Sequence, residues 1–390
     1  MRKKILFVVQ RYGEDVNGGA EYHCRVLAEH LLELYDVDVV TSCARNYTPW
    51  DNFYKPGKEK INGINVIRFP VERIRNVARL QKLTAEINKG NIDKETEWIE
   101  EIGPFCPKLI KYIQLYSDGY KAVIFFSYDF YTTVIGLNTG LKNSILIPTA
   151  HDTPAIYKTI YRKMLQKPQA ILYNSIEERE FLMREFNTKE KISRLTCVGI
   201  DIPELSDWSM PERFKKYDNY IIYVGRISDG KNFNQLNQYF IEYKKRKPSN
   251  LKLLVIGRCD EGIRIEYSSD IIYLGFVSED EKARLMRNAK LLVLPSKYES
   301  LSLVILESMA VKRPVLVNEE CNVLKGQCIR SNAGLYYSGY IEFEYALEYI
   351  LNNDDMYKEM CENGFRFVKE NYNWEDVVKN VSSLIEELND

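Results

Sequence analysis

The sequence predicts an α/β protein made of two doubly wound domains, each with a parallel sheet covered by helices. Short runs of β-branched and aromatic residues alternate with helix-length amphipathic stretches, which is the pattern of strands joined by crossover helices. Several predicted strands are apolar throughout, as strands covered on both faces must be. The alternation pauses near residue 205 and restarts with a strand that enters a loop. Together these observations predict two Rossmann-like domains in one chain.

The predicted strands fall into two groups, before and after that pause. They are 4–9, 37–42, 64–69, 122–127, 144–148, 170–174 and 194–198, then 220–225, 251–256, 270–274, 290–295 and 314–318. The predicted helices are 20–34, 94–116, 176–186, 232–246, 278–288, 302–311 and 341–370, with a final helix near the C-terminus. Segments 44–62 and 71–118 are irregular or amphipathic and carry no motif.

Residues 200–211 contain Pro, Ser and Asp without a strand or helix period, so we place a linker at 201–218. This gives an N-terminal domain at 1–200, a C-terminal domain at 219–371 and a C-terminal helix at 372–390 that we expect to cross back to the N-terminal domain. Ligands of doubly wound sheets bind beyond the carboxyl ends of the strands. We therefore expect the two domains to share a ligand in the cleft between them.

Composition excludes several classes of protein. The 390 residues, of which 45% are hydrophobic and 28% charged, suffice for two full cores, and a net charge of −1 argues against a general nucleic-acid binder. Eight cysteines without a C-x-x-C pair predict reduced core residues. The apolar run 5–9 is too short for a signal peptide, and no run approaches the roughly 18 apolar residues of a spanning helix. We expect a cytoplasmic protein, with peripheral membrane contact left open.

Basic residues cluster between positions 55 and 82. They are Lys55, Lys58, Lys60, Arg68, Arg73, Arg75, Arg79 and Lys82, against Glu59 and Glu72. Most such patches are solvated surface. The functional alternative is contact with an anionic acceptor or a membrane surface.

Two glutamates stand out in the apolar segment 295–310. If the helical period held between them, Glu299 and Glu307 would point within about 80° of each other and lie about 12 Å apart along the axis. The helix around Glu307 is apolar on every face, which predicts a buried acid that meets hydroxyls, amides or a cation. A structural Arg–Glu pair is the alternative.

Two loops have the chemistry to bind phosphate. Gly18 and Gly19 lie between the first strand and its helix, where backbone and a helix N-terminus can approach an anion, although a simple helix-cap turn has the same sequence. In the second half, Arg226 and Lys231 bracket Gly230 directly after a strand. These two cations can converge on a diphosphate, and a solvated turn is the alternative.

These pieces, in this order, resemble the retaining GT-B glycosyltransferases of sequence family 4. The matching motifs are Gly225-Arg226-x4-Lys231, Pro295-Ser296-x2-Glu299-x7-Glu307-Ser308-Met309-Ala310, Arg313-Pro314-Val315 and Tyr372-Asn373-Trp374. Gly18-Gly19-Ala20-Glu21 and His151-Asp152 are similar to N-terminal features of that family. The resemblance covers nearly the whole chain.

The resemblance implies a role for each matching residue. Arg226 and Lys231 would hold the donor diphosphate, Glu299 would contact the transferred sugar and Glu307 the ribose. Backbone N–H groups at Gly19, and near Leu303 and Val304 where their helix begins, would contact phosphate. His151 would lie beside the reacting sugar, near the acceptor.

The resemblance also implies a reaction. A sugar moves from a nucleoside diphosphate, with UDP as the leading candidate, to a glycan, lipid-linked or small-molecule hydroxyl, with retention of configuration. The nucleotide sugar is a substrate, and no cofactor and no metal are expected. Asp36-Val37-Asp38 has the spacing of a metal motif but begins an apolar strand, so we interpret it as strand. By family analogy the pathway makes a cell-surface polysaccharide or glycolipid.

The sequence departs from the family at two places. Ser300-Leu301-Ser302 stands where members commonly carry Gly-Phe-Gly, and Asn232 stands where Gly is frequent. A non-catalytic partner that keeps the fold is therefore an alternative. A phosphorylase would need a much longer chain, and an epimerase would lack the Arg226, Lys231, Glu299 and Glu307 set. His23 and His30 are interpreted as packing or solvated residues.

Overall fold

The computed structural model describes residues 2–16, 18–195, 198–260, 263, 266 and 268–388. It divides into two compact units, one formed by Met1–Val198 with Trp374–Asp390 and the other by Gly199–Asn373. The segment 201–218, predicted as a linker, lies within the second unit. The last helix belongs to the first unit.

Within the described residues, the first unit contains a sheet of eight strands in the order β3-β4-β2-β1-β5-β6-β7-β8. Neighbouring strands are parallel, except that β3 pairs antiparallel with β4. The strands are Lys4–Val8 (β1), Asp36–Ser42 (β2), Gly57–Ile61 (β3), Ile64–Phe69 (β4), Ala122–Phe126 (β5), Ser144–Ile147 (β6), Ala170–Tyr173 (β7) and Ile192–Leu195 (β8). The order reverses between β1 and β5, as in a doubly wound sheet.

Helices cover this sheet. They are Gly19–Leu31 (α1), Val77–Asn88 (α2), Glu95–Ile102 (α3), Pro107–Tyr116 (α4), Tyr131–Leu137 (α5), Thr159–Met164 (α6) and Ile176–Phe186 (α7), with 3-10 turns at Ile92–Lys94 and Ser117–Gly119. Strands β1 and β5 are buried almost throughout, because both faces of the sheet carry helices.

The second unit contains a parallel sheet of six described strands in the order β11-β10-β9-β12-β13-β14. The strands are Tyr220–Val224 (β9), Lys252–Ile256 (β10), Ile271–Gly275 (β11), Leu292–Leu294 (β12), Val315–Asn318 (β13) and Gly334–Tyr337 (β14). The helices are Phe233–Arg246 (α8), Glu279–Asn288 (α9), Leu303–Ala310 (α10), Asn322–Ser331 (α11), Tyr340–Asn352 (α12) and Asp354–Asn371 (α13), with 3-10 turns at Glu212–Phe214 and Asp229–Lys231. Here the order reverses between β9 and β12.

The last helix, Trp374–Glu387 (α14), packs on the first unit. Its apolar face joins the core cluster that contains Ile5, Leu27 and Val37. Trp374 stacks on His30 with ring centroids 3.8 Å apart. The packing role predicted for His30 is confirmed.

The predicted strands are close to the observed ones, but several elements escaped prediction. These are β3, β14, α2, α5, α6 and α11. The predicted helix 94–116 is two helices, because α3 ends at Gly103 (φ 74°) and α4 begins at Pro107. The predicted helix 341–370 is also two, and the Asn353 side chain caps the second. Of the predicted strand 194–198, residues 196 and 197 lie outside the described part.

All seven described cysteines are free thiols. Six of them are buried and Cys259 is exposed, and Cys197 lies outside the described residues. The prediction of reduced core cysteines is confirmed for those six. In the described part of the chain, the helices are all too short or too polar to cross a lipid bilayer.

Candidate functional site

The loops that leave β9 and β12 meet where the strand order of the second sheet reverses. Such a point opens a crevice beyond the carboxyl ends of the strands, and ligands of doubly wound sheets bind there. The loop 225–232 follows β9, and the loop 295–302 follows β12. Both loops carry residues that the sequence singles out.

Lys231 and Glu299 face each other across these two loops. Lys231 Nζ lies 2.6 Å from Glu299 Oε1, and the two side chains are 27% and 11% exposed. Lys231 closes the 3-10 turn, and the side chain of Ser228 at the start of that turn accepts a hydrogen bond from its backbone N–H. The structure thus brings one predicted cation and one predicted acid together.

Asn232 holds the two loops in place. It lies in the left-handed region (φ 54°), which explains why a glycine suits this position. Its Nδ2 donates to the carbonyl of Pro295 at 3.1 Å, and Asn318 Nδ2 donates to the same carbonyl at 3.1 Å. The departure at Asn232 therefore adds an anchor for the loop that carries Glu299.

Arg226 is exposed, and its guanidinium lies 3.9 Å from the carboxylate of Asp260. Its backbone is well fixed, because Tyr223 donates its hydroxyl to the Arg226 carbonyl at 2.6 Å. The neighbouring loop approaches so closely that a Cβ on Gly257 would lie 1.9 Å from the Gly225 carbonyl oxygen. Only glycine fits at Gly257 without moving the loop.

Glu307 differs from its prediction in two respects. It is not fully buried, since its side chain is 24% exposed, and it pairs with Lys282 of α9 at 3.1 Å. The expectation that it meets a cation is confirmed, but the partner is a lysine rather than an arginine. The helical relation between Glu299 and Glu307 is wrong, because α10 begins at Leu303 and leaves Glu299 in the loop.

The N-terminus of α10 has an unusual residue at its cap. Ser302 has φ 69° and its side chain makes no capping hydrogen bond. Its hydroxyl is buried and has no hydrogen-bond partner among the described residues. The N–H groups of Leu303 and Val304 open the helix and, as in any α-helix, have no partner within it.

In the first unit, Gly18 is the N-cap of α1 and Gly19 is its first residue, and the two glycines serve different purposes. A Cβ on Gly18 (φ 159°) would lie 2.1 Å from Glu21 Oε2, whereas a Cβ on Gly19 would meet no atom within 4 Å. Glu21 is buried and forms an ion pair with Arg11 at 2.7 Å. Gly18 makes room for this pair, and Gly19 leaves the backbone open to a ligand.

Glu21 belongs to a buried polar cluster beside the point where the first sheet reverses. Tyr47 donates its hydroxyl to Glu21 at 2.6 Å, and the Arg11 guanidinium lies 3.5 Å from the centre of the Tyr47 ring. Asp129 lies three residues beyond the end of β5. Burial and the nearby Glu21 charge raise the pKa of Asp129 to about 6, against the opposing effect of Arg75. No sequence motif points to Asp129.

His151 follows β6 in the loop 148–152, a part of the first unit separate from Gly18 and Gly19 in sequence. The next residue, Asp152, accepts a hydrogen bond from Tyr157 at 2.8 Å. His23 is buried, and burial lowers its pKa to about 3, so that it is neutral. Its predicted packing role is confirmed.

Comparison with known proteins adds the family. Sucrose-phosphate synthase from Thermosynechococcus elongatus superposes with a TM-score of 0.72 at 17% identity over 99% of both chains. HepE from Anabaena, solved with UDP and glucose, superposes with a TM-score of 0.70 at 13% identity over 99% of this chain and all of that one. These likenesses establish the fold.

The sequence comparisons go further. A glycosyltransferase of Methanocaldococcus jannaschii, itself uncharacterized, is 24% identical over 415 aligned positions that cover 96% of each chain. Residues 206–367 match the family model of Glycosyl transferases group 1. The matched region lies within the second unit, and together with the shared fold these findings support a GT-B glycosyltransferase of group 1.

In this glycosyltransferase, the sequence identified the charged residues of the second unit but missed the side chains that hold them. Asn318 and Lys282 lie in unremarkable stretches, and no motif points to them. The roles that the resemblance implies for Arg226, Lys231 and Glu299 stay predictions, as do those of the phosphate-contacting backbone groups.

Asp38 has a structural role in the first unit. Its carboxylate accepts hydrogen bonds from Asn65 at 2.9 Å and from Tyr120 at 2.7 Å, and β2 begins at Asp36 as the strand interpretation requires. Among the described residues, there is no cluster of three or more His, Cys, Asp or Glu side chains arranged for a metal ion.

The arginines of the basic stretch are engaged within the first unit. Arg68 pairs with Glu59, Arg73 with Glu100, and Arg79 with Glu97, while Arg75 donates to the carbonyl of Ile102. The charges of Arg68, Arg73 and Arg79 are therefore compensated by carboxylates of the same unit. The nearby aromatic residues also pack internally, since Trp50 is fully buried and Tyr47 stacks on Phe130.

Proposed function

We propose that this glycosyltransferase is a retaining, metal-independent enzyme that transfers a hexose-type sugar from UDP to a hydroxyl of a glycan, a lipid-linked sugar or a small molecule. The observation that carries the proposal is the Lys231–Glu299 pair at the reversal point of the second sheet. A cation suits the donor diphosphate, and a carboxylate suits the hydroxyls of the sugar beside it.

The pair explains how the donor is received. In the absence of donor, each charge compensates the other, so neither is left unpaired in a partly buried crevice. A diphosphate takes over the positive charge of Lys231 and frees Glu299 to accept hydrogen bonds from sugar hydroxyls. Arg226 is exposed and weakly engaged at 3.9 Å, so it is available to the same diphosphate.

Catalysis then rests on electrostatic stabilisation of the leaving diphosphate. As the glycosidic bond breaks, negative charge grows on the phosphate, where Lys231, Arg226 and the N-terminus of α10 stabilise it. The leaving phosphate takes the proton of the acceptor hydroxyl on the same face of the sugar, which gives retention. In this mechanism the two cations replace the divalent metal that other sugar transferases use.

A solved structure that shares the fold supports UDP as the nucleotide. HepE, which shares the fold, was solved with UDP and glucose. Within this chain, Glu307 offers a carboxylate to a ribose, and ribose is common to all nucleoside diphosphates. For the acceptor we keep the proposal of a cell-surface polysaccharide or glycolipid pathway, based on family analogy.

A donor screen with purified protein tests the proposal. UDP-sugars are incubated in EDTA with simple sugar acceptors, and released UDP and glycosidic product are measured. We expect transfer or slow donor hydrolysis by the wild type, an α product from an α-linked donor by NMR, and at least a 100-fold loss in Lys231→Ala and Glu299→Ala.

Lys297→Ala is the matched control. It removes a lysine from the loop 295–302, which also carries Glu299. Lys297 pairs with Glu320 at 2.9 Å, and we expect near wild-type activity in this variant. Full activity in Lys231→Ala would contradict the site assignment, and inversion would contradict the mechanism. Nucleotide binding without transfer or hydrolysis of any donor would support the non-catalytic alternative.

A further inference from the structure

The ends of β6 and β7 separate beyond their last paired residues. The two parallel strands pair at Ile145 with Ala170 and at Leu146 with Ile171, and no further pairing follows in this described region. Beyond β6 the backbone turns through the loop 148–152, and beyond β7 it continues through Asn174 into α7. Backbone N–H groups at these diverging ends need acceptors from elsewhere.

A single carboxylate supplies them. Glu178 Oε1 accepts the N–H of Ala150 at 2.5 Å, and Glu178 Oε2 accepts the N–H of Asn174 at 2.6 Å. The side chain is almost fully buried, with 2% of the residue exposed. Each oxygen thus accepts a hydrogen bond from one of the two diverging backbone segments. In the segment after β6 the donor is Ala150, which directly precedes His151.

Ordinary helix capping does not account for this arrangement. Ser175 is the N-cap of α7, and its side chain accepts the N–H of Glu178 at 3.1 Å. In a capping box the glutamate at this position would return the bond to the N–H of the cap residue itself. Glu178 instead reaches the N–H groups of Asn174 and of a loop from the neighbouring strand.

The held loop contains a strained turn. Thr149 has φ 49°, a left-handed conformation that is costly for a β-branched residue and persists only where surrounding contacts impose it. Its hydroxyl donates to Ser127 at 3.1 Å, and the next N–H is the one that Glu178 accepts. On the far side of His151, the N–H of Thr153 donates to the His151 carbonyl at 2.9 Å.

We propose that Glu178 is a positioning residue that fixes the backbone before His151 and thereby sets where the imidazole meets the sugar. The inference rests on the proposed function and on the position that the family resemblance implies for His151, beside the reacting sugar. Glu178 touches no substrate in this account. Its effect on transfer passes through the loop 148–152, whereas nucleotide binding in the second unit does not depend on it.

A double-mutant cycle with Glu178→Gln and His151→Ala tests the inference. The glutamine has nearly the same shape but presents an NH2 group to one of the two N–H donors, so one bond is lost. At a pH above 8, where the Glu178 carboxyl is ionised and both of its oxygens accept, we expect Glu178→Gln to lower the kcat for transfer about tenfold or more, with the Kd for UDP within twofold of wild type. Because both residues act through one imidazole, the double mutant should be no slower than His151→Ala.

Glu180→Gln is the control, since it changes an exposed carboxylate on the same helix and should leave both values unchanged. Effects of Glu178→Gln and His151→Ala that multiply in the double mutant would overturn the inference, as would unchanged transfer in Glu178→Gln. Wild-type activity in His151→Ala would instead contradict the proposed role of His151.

A measurement on the wild type covers the case in which Glu178→Gln fails to fold. Hydrogen exchange resolved to single residues should show the Ala150 amide protected as strongly as the amides of the core strands, although it lies in a loop. Exchange as fast as that of exposed loop amides would overturn the inference. His151→Ala keeps Glu178 and should retain this protection.

Discussion

At the scale of single residues, the candidate donor site is a set of charges compensated before any ligand arrives. Lys231 faces Glu299 at 2.6 Å, and Lys282 faces Glu307 at 3.1 Å. Partly buried pairs of this kind contribute little net stability, because desolvation offsets their attraction. They keep the four side chains ordered at the positions where we propose that the donor binds.

The strain at Ser302 gives a prediction on stability. Replacing Ser302 with glycine removes a left-handed non-glycine residue and a buried hydroxyl that has no partner within the described chain. We expect Ser302→Gly to raise the free energy of unfolding by about 1 kcal/mol, as measured by urea denaturation of the second unit. Ser300→Gly, without positive φ, should be neutral or slightly destabilising, and equal losses in the two variants would contradict the account.

The buried Glu178 gives a prediction on pH. Burial raises its pKa to about 8, although the N–H groups of Asn174 and Ala150 favour the charged form. Between about pH 5 and pH 8 the native state therefore binds more protons than the unfolded state, and this carboxyl makes stability fall as pH rises. Relative to wild type, Glu178→Gln should gain stability from pH 5 to pH 8, as read from urea midpoints. Midpoints that move in parallel would show that Glu178 does not titrate in this range.

At the scale of elements, α9 and α10 are joined by the ion pair between Lys282 and Glu307. Burial opposes the charged form of Lys282, but Glu307 and Glu279 outweigh it and raise the Lys282 pKa. The lysine is therefore charged throughout the physiological range. Its ion pair with Glu307 holds that side chain at the face of α10 that the family resemblance assigns to the ribose.

Removing Lys282 should weaken nucleotide binding more than catalysis. Lys282→Met keeps the length of the side chain but leaves Glu307 without its cation. We expect the Kd for UDP to rise about tenfold while kcat at saturating donor changes less than threefold, measured by calorimetry and steady-state kinetics. Lys312→Met is the control, because it removes a lysine that lies outside these loops. Lys312 pairs with Glu362 at a distance of 2.7 Å. An unchanged Kd in Lys282→Met would remove the ribose role of Glu307.

The elements also show what sequence could and could not predict. Strands such as Ala122–Phe126 are uniformly apolar, and their pattern alone identifies them. The edge strand Gly57–Ile61 is exposed and rich in lysine, so it has no hydrophobic pattern. In the candidate site, Lys231 and Glu299 were both predicted as site residues from the motifs that contain them. Their anchors Asn232 and Asn318 were not, because a hydrogen bond to the Pro295 carbonyl depends on how three loops meet.

At the scale of the whole molecule, the chain contributes its last helix to its first unit. Val377, Val381, Leu384 and Ile385 complete a core that begins at Ile5. The first unit therefore needs residues that lie far from the rest of it in the sequence. The second unit, Gly199–Asn373, is formed by one continuous stretch of chain.

A cavity in this helix should destabilise the first unit selectively. Leu384 is fully buried, and Leu384→Ala should cost about 2–5 kcal/mol of unfolding free energy. Tryptophan fluorescence during urea denaturation reports this, because Trp50, Trp98 and Trp374 belong to the first unit. Ser383→Ala, at an exposed position of the same helix, should change stability by less than about 0.5 kcal/mol. Equal effects of the two substitutions would contradict the packing described for α14.

The central claim is that loops 225–232 and 295–302 bind a nucleoside diphosphate without metal. Calorimetric titration of the purified protein with UDP, GDP and ADP in EDTA, repeated on Lys231→Ala and Lys297→Ala, tests it most directly. We predict micromolar binding of UDP that is lost in Lys231→Ala and kept in Lys297→Ala. Equal binding by all three proteins, or no binding of any nucleotide until a divalent metal is added, would contradict the claim.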